Sequence, residues 1–181
     1  NNNNNNKRNP PVVQVFHTRS ENDATTAAAA AVDPMDDVLV DRFQRRHSYL
    51  RLSLTEACNL RCTYCMPADG VPLQPASHLL TTNEILHIAQ HFYHLGIRKF
   101  KLTGGEPTLR KDLVEIVTGL NELSNNHGGV DSSIGMTTNG VALNESKLRS
   151  LRDAGLTSLN VSLDTLDPHK FAQITRRPSS Y

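Results

Sequence analysis

The chain has 181 residues, 38% of them apolar and 20% charged, with a formal net charge of +1. A near-neutral chain has no global field to draw it onto nucleic acid or a membrane surface, and no apolar run approaches the ~20 residues of a membrane-spanning helix. The length suits one domain or part of a larger one, and the three cysteines, Cys58, Cys62 and Cys65, are crowded into one short run. A local, odd cluster of thiols points to a metal in a reducing compartment rather than to a disulfide framework.

In chain order, residues 1–40 read as a leader, structureless over 1–36. Residues 1–6 are all Asn, Pro10-Pro11 breaks regular structure, and residues 27–31 are all Ala. Lys7, Arg8 and Arg19 without an intervening acid resemble a targeting segment; Glu21 and Asp23 end that bias, and a solvated tail without an address is the alternative. The first residue is Asn and the last stretch has no closing element, so the chain reads as part of a longer protein. Residues 48–54 alternate apolar and polar, as a strand does. After the cysteine loop, Thr81 and Glu84 form a capping box for a helix carrying Ile85, Ile88, Ala89, Phe92 and Leu95, which Gly96 ends. Residues 98–103 read as a second strand, Gly104-Gly105-Glu106-Pro107 as a turn, and 112–123 as a helix with Leu113, Ile116, Val117 and Leu120 on one face. A third strand is expected over 133–138, a helix capped by Asn144 and running to Asp153, a fourth strand over 157–163, and a further helix opening at Asp167-Pro168. Repeated β-α units imply an α/β fold with a parallel sheet, here the first part of an incomplete TIM-type barrel formed by residues 41–181. In such folds function lies at the C-terminal ends of the strands, where the informative motifs fall.

Three thiolates at the spacing C-x3-C-x2-C can hold three irons of a [4Fe–4S] cube and leave the fourth open to a non-protein ligand, whereas four would close it. A structural zinc, with His87, His91 or His94 as fourth ligand, is the alternative. Gly104-Gly105 lets backbone approach a ligand closely, and Glu106 can accept hydrogen bonds from an ammonium group; an ordinary turn with a solvated Glu is the bland reading. Arg51 opposes Leu50 and Leu52 in its strand, and Lys99 and Lys101 alternate with Phe100 and Leu102, so the cations point one way, toward a common cavity or toward solvent. Asn160 and Ser162 alternate on the fourth strand. Arg110 and Lys111 suit either a phosphate or a salt bridge. Asp167 is explained as a helix cap and not as half of a carboxylate pair with Asp164.

Leu50-Arg51-Leu52-Ser53, Cys62-Thr63-Tyr64-Cys65-Met66-Pro67, Leu102-Thr103-Gly104-Gly105-Glu106-Pro107, Thr137-Thr138-Asn139-Gly140 and Asn160-Val161-Ser162-Leu163-Asp164 occur in that order. Together they resemble the radical S-adenosylmethionine enzymes and, among those, the GTP 3′,8-cyclases that begin molybdenum cofactor synthesis. The resemblance runs from about Asp41 to Tyr181. It implies the radical SAM fold, a [4Fe–4S] cluster on Cys58, Cys62 and Cys65, and S-adenosylmethionine held by Tyr64, Gly104, Gly105, Glu106 and Ser162, with Asn160 beside it. GTP would be bound by Arg51, Lys101 and Thr137, with Lys99 near the phosphates; at Lys101 the family pattern carries Arg, so the charge is kept and the planar fork lost. The implied activity is a lyase reaction, in which a 5′-deoxyadenosyl radical takes hydrogen from C3′ of GTP and the resulting radical closes onto C8 to give 3′,8-cyclo-7,8-dihydro-GTP. No catalytic side chains beyond the cluster ligands are implied. The resemblance further implies an electron donor, a pyranopterin monophosphate synthase acting downstream and a mitochondrial matrix location if the leader is a presequence, or a cytoplasmic one otherwise. It allows a homodimer for the complete protein. Family members carry a second three-cysteine cluster beyond the stretch matched here, so cyclisation is not expected of this stretch alone. The competing readings are a radical SAM enzyme with another substrate and a non-catalytic metal-binding fragment.

Overall fold

Alternating side chains decide the architecture. In a computed structural model that describes residues 13–16, 38–126 and 132–177, the strands are β1 (Val13–Phe16), β2 (Tyr49–Ser53), β3 (Lys99–Thr103), β4 (Ser133–Thr138) and β5 (Ser158–Val161). They lie side by side in chain order in one sheet, with β1 antiparallel to β2 and the other neighbours parallel. The helices α1 (Thr82–His94), α2 (Leu113–Asn126), α3 (Glu145–Asp153) and α4 (Pro168–Thr175) alternate with the parallel strands. The expected β-α repeat is therefore present, as four parallel strands of an incomplete α/β barrel.

One sheet face is apolar: Leu50, Leu52, Phe100, Leu102, Ile134 and Met136 are almost wholly buried. They pack against Ile85, Ala89 and Tyr93 of α1, Leu113, Ile116, Val117 and Leu120 of α2, and Leu151 of α3. A one-residue slip of any strand would turn this stripe outward, so the register is strongly specified. By the same register, the other face carries Tyr49, Arg51, Lys99, Lys101, Thr103, Gly135, Thr137, Ser158 and Asn160. Parallel sheets are ordinarily covered on both faces. A polar, cationic face on a parallel sheet is what the lumen of a barrel presents.

The helix ends follow the expected chemistry. The Thr81 hydroxyl accepts the Glu84 N–H at 3.3 Å, and the Glu84 carboxylate accepts the Thr81 N–H at 2.9 Å. Asn144 caps α3 by accepting the Lys147 N–H at 2.8 Å, and Asp167 caps α4 through the His169 and Lys170 N–H groups. Strand β1 corrects the expectation of a structureless leader: Val13-Gln-Val-Phe16 pairs with Leu52 to Tyr49. The run is β-prone and alternating, and it meets the otherwise open hydrogen-bonding edge of β2. Leu39 also joins the core, so the expected boundary at 40/41 cuts into packed structure. The poly-Asn and poly-Ala runs and the basic stretch around Lys7, Arg8 and Arg19 lie outside the described residues.

Arg110 resolves one open sequence question. Its guanidinium donates to the Leu54 and Leu80 carbonyls at 2.8 and 2.7 Å and to the Asp112 carboxylate at 2.7 and 2.9 Å. It is an internal brace, tying β2 and the approach to α1 to the start of α2. These bonds, with that from the Thr82 hydroxyl, hold the Asp112 carboxyl at about 2, below its ordinary 3.8. A depressed carboxylate contributes stability that is full above its unfolded value and is lost as pH falls through the folded value. Asp112→Asn is therefore expected to lower thermal stability at neutral pH, with the gap to the unchanged protein closing between about 4 and 2 in melting curves recorded across pH.

Candidate functional site

The cysteine loop leaves the end of β2 and is held from two sides. Below it lies the C-terminal end of α4, whose last carbonyls have no partner within the helix. The loop supplies donors: the Arg61 N–H bonds the Thr175 carbonyl and the Thr63 N–H the Ile174 carbonyl, both at 2.9 Å. Cys62, between these two anchors, is buried against Leu60 and Phe171 with Cys58 alongside. The Cys65 and Met66 N–H groups turn back onto the Cys62 carbonyl at 3.1 and 3.0 Å, which leaves Cys65 exposed.

From the other side comes the Gly-Gly turn after β3. The Gly105 N–H donates to the Thr55 carbonyl at 2.6 Å and the Glu106 N–H to the Ala57 carbonyl at 2.8 Å. A Cβ at Gly104, whose φ is +139°, would stand 2.4 Å from the Thr55 oxygen, and one at Gly105 would stand 2.4 Å from the Ala57 oxygen. The close approach foreseen at these glycines is thus to the backbone entering the cysteine loop. Gly105→Ala is expected to destabilise the protein by about 1–3 kcal/mol, the usual range for overpacking, in denaturant melts, and to loosen the loop that carries the thiols.

Glu106 is a hub and is not solvated. Its carboxylate is 1% exposed. One oxygen accepts the Thr108 N–H (3.0 Å), the Thr108 hydroxyl (2.5 Å) and the Thr138 hydroxyl (2.6 Å), while the other accepts the Asn139 N–H (2.7 Å). It fastens the turn after β3 to the loop after β4.

These elements enclose a cavity of about 230 Å³ lined by Cys58, Cys62, Tyr64, Cys65, Thr103, Gly104, Gly105, Glu106, Thr137, Thr138, Asn139 and Ser162. Eight of the expected cofactor and metal residues and Thr137 are thereby brought together at the C-terminal ends of the strands. Partial desolvation, then the neighbouring Cys62, Cys58 and Asp164, raises the Cys65 thiol above its ordinary value. The Tyr64 hydroxyl donates to the Asp164 carboxylate at 3.0 Å, spanning the cysteine loop and the chain after β5. Desolvation, that bond and the nearby Cys62 hold its phenol well above the ordinary value.

The expected cations lie elsewhere. Arg51, Lys99 and Lys101 line a second cavity of about 260 Å³ with Tyr49, Ser133, Gly135 and Ser158. Lys101 lies two residues before Thr103, about 7 Å along the strand, so this cavity adjoins the first on its N-terminal side. Lys101 extends over Gly135, where a Cβ would come within 3.3 Å of its ammonium. Burial, then the Arg51 guanidinium, lowers the Lys101 ammonium below its ordinary value. Arg51, Lys99 and Lys101 thus share one cavity, the first of the two alternatives left open for these cations. Asn160 pairs with Thr137 in register but lines neither cavity. His87, His91 and His94 are exposed on α1 and line neither cavity.

The model of the Radical SAM superfamily matches residues 52–181, which takes in the end of β2 and every later element of both cavities. The chain belongs to the radical SAM superfamily. As a radical SAM protein it uses S-adenosylmethionine and an iron–sulfur cluster. It is 56% identical over 139 residues to "Molybdenum cofactor biosynthesis protein 1" of Drosophila melanogaster, covering 77% of this chain and 24% of that one. It is 51% identical over 145 residues to "GTP 3',8-cyclase, mitochondrial" of Arabidopsis thaliana, covering 80% and 36%. The chain thus spans about a quarter to two-fifths of the length of curated relatives such as these and the 44% identical "GTP 3',8-cyclase" of Limosilactobacillus fermentum. Among solved structures, Streptococcus suis SuiB bound to S-adenosylmethionine superposes with a TM-score of 0.55 at 20% identity, covering 74% of this chain and 27% of that one. That likeness is one of fold.

Within this radical SAM site, sequence reasoning passed over Asn59, Thr108, Thr138, Asn139 and Asp164 as site residues. Thr138 and Asn139 sit inside a quoted motif. Asn59 follows Cys58 directly. Their partners are far away in the chain, so spacing gave no sign of what they touch.

Proposed function

We propose that this chain provides the cluster and S-adenosylmethionine half of a GTP 3′,8-cyclase of molybdenum cofactor synthesis. The observation that carries the reading is the meeting of three thiols with Gly105, Glu106, Thr137 and Ser162 in one cavity at the strand ends. The donor set fits a cluster. Among the described residues no three His, Cys, Asp or Glu side chains converge on a single metal ion, whereas Cys58, Cys62 and Cys65 are arrayed around a cavity wall with no histidine among the lining residues. Three soft sulfur donors around a space suit an iron–sulfur cube better than a four-coordinate zinc.

When bound, a [4Fe–4S] cluster would supply the single electron that breaks the sulfonium bond of S-adenosylmethionine. The chain's own residues do the rest by position. Cys58, Cys62 and Cys65 hold the cluster, and the α4 carbonyls keep their loop in place. Glu106 has acceptor capacity left on the oxygen that meets only the Asn139 N–H, enough for an ammonium donor at the cavity wall. The Thr137 and Ser162 hydroxyls offer further polar contacts, and Tyr64, clasped to Asp164, lines the cavity mouth. Arg51, Lys99 and Lys101 form a cationic lining next to this cavity, where the phosphates of GTP would find opposite charge.

The names of the Drosophila, Arabidopsis and Limosilactobacillus relatives support this reading, and the mitochondrial name of the plant relative supports a mitochondrial compartment. An electron donor, a downstream pyranopterin monophosphate synthase and a homodimer of the complete protein belong to the same reading.

The test uses the full-length protein. Reduction of the reconstituted enzyme with dithionite is expected to yield 5′-deoxyadenosine, with GTP stimulating its formation. Lys101→Ala is expected to raise the GTP concentration needed for half-stimulation by about tenfold or more, the worth of a lost charge-assisted contact, and to leave the S-adenosylmethionine dependence unchanged. Stimulation by some other substrate and not by GTP would replace the cyclase with another radical SAM activity. Absence of 5′-deoxyadenosine would leave a metal-binding protein without turnover.

A further inference from the structure

Asn139 follows β4 and lines the cysteine cavity. Its backbone N–H and both ends of its side-chain amide are directed. Its backbone N–H is spent on the Glu106 carboxylate at 2.7 Å, and its side-chain carbonyl accepts the Val141 N–H at 3.1 Å. The second bond fixes the orientation of the amide, because only the oxygen can accept there. The amide nitrogen is therefore turned to the cysteine loop. It donates to the Asn59 side-chain carbonyl at 2.7 Å and lies 3.9 Å from the Cys58 sulfur, within reach of a hydrogen bond to sulfur. The nitrogen has two hydrogens, one for each partner.

We propose that Asn139 is a positioning residue that donates an N–H···S hydrogen bond to Cys58 and thereby raises the reduction potential of the cluster this loop holds. The inference rests on the cluster reading given above. Reduction of an iron–sulfur cluster places additional negative charge on its sulfurs, so a donor aimed at a ligand sulfur favours the reduced state over the oxidised one. Through Asn59 the same amide also holds the residue next to Cys58. A radical SAM cluster must pass an electron to a poor acceptor, so a residue outside the ligand set that sets its potential also sets how readily that transfer occurs.

The test is a potentiometric titration of the reconstituted protein followed by EPR, with iron and sulfide measured on each sample. Asn139→Ala removes the amide but keeps the backbone N–H bonded to Glu106, so the brace between the two turns survives. Its midpoint is expected to move to a more negative potential at full iron content. Asn59→Ala removes the strap and leaves the Asn139 amide facing Cys58, and its midpoint is expected to stay in place. An unchanged midpoint in Asn139→Ala at full iron content overturns the proposal, as does an equal shift in both variants. A second measurement needs no substitution. With asparagine labelled with nitrogen-15 at its side-chain amide, pulsed EPR of the reduced cluster is expected to show a nitrogen-15 coupling, which Asn59→Ala retains; absence of that coupling also overturns the proposal. Failure of the unchanged protein to assemble any cluster would instead reject the cluster reading itself.

Discussion

Replacing Cys58, Cys62 or Cys65 with Ala, one at a time, is expected to abolish stable cluster assembly. Iron and sulfide should fall from about four of each per chain, the content of one cube, to near zero, with loss of the visible charge-transfer absorption. Two thiolates cannot hold three corners, so the effect should be close to all-or-none for each position. Stability of the metal-free protein should separate the three. Cys65 is exposed, and its replacement should change folding free energy by no more than about 0.5 kcal/mol, the usual range for surface positions. Cys62 is packed with Leu60 and Phe171 over the end of α4, so its truncation should cost measurably more in a denaturant melt. Equal loss of stability at both positions would show that the packing around Cys62 contributes nothing.

Glu106→Ala is expected to destabilise the metal-free protein on the order of 3 kcal/mol or more, because it strands buried donors that the carboxylate now satisfies. Four bonds from Thr108, Thr138 and Asn139 end on this one group. Glu106→Gln should cost less, since the hydroxyls can turn to the remaining carbonyl, but its amide meets at least one donor with another donor. The measurement is chemical denaturation without cofactor. If Glu106 served only a ligand, both variants would fold as stably as the unchanged protein, and that result would contradict its placement as the tie between the loops after β3 and β4.

Much of this was legible from the chain because it depends on short-range rules. Period-two alternation marked β2 and β3. Thr81 with Glu84, Asn144, and Asp167 before Pro168 marked helix starts that the structure bears out. The cysteine spacing and the Gly-Gly-Glu-Pro turn fell at strand ends, which brought them to one cavity. The rest depended on partners remote in sequence. The space beside Gly104 and Gly105 is filled by residues 55–57, and no local pattern distinguishes that from space for a ligand. Arg110 pairs with the Leu54 and Leu80 carbonyls, so its charge gave no hint that it is internal. Arg51, Lys99 and Lys101 do share a face, but the strand rise sets them in a cavity beside that of the thiols. Strand β1 was hidden in a low-complexity leader whose composition outweighed three β-prone residues, Val13, Val15 and Phe16. β5 came out shorter than the expected 157–163: Ser162 still donates to the Thr138 carbonyl at 2.8 Å, but an edge strand has a neighbour on one side only among the described residues.

The central claim is a three-thiol cluster with one corner open to S-adenosylmethionine. EPR of anaerobically reconstituted, reduced protein, recorded with and without S-adenosylmethionine, tests it most directly. The account predicts a [4Fe–4S] signal whose g-values change when the sulfonium metabolite is added and which is absent from Cys58→Ala, Cys62→Ala and Cys65→Ala. A colourless protein holding one zinc, or a cluster signal indifferent to S-adenosylmethionine, would contradict it.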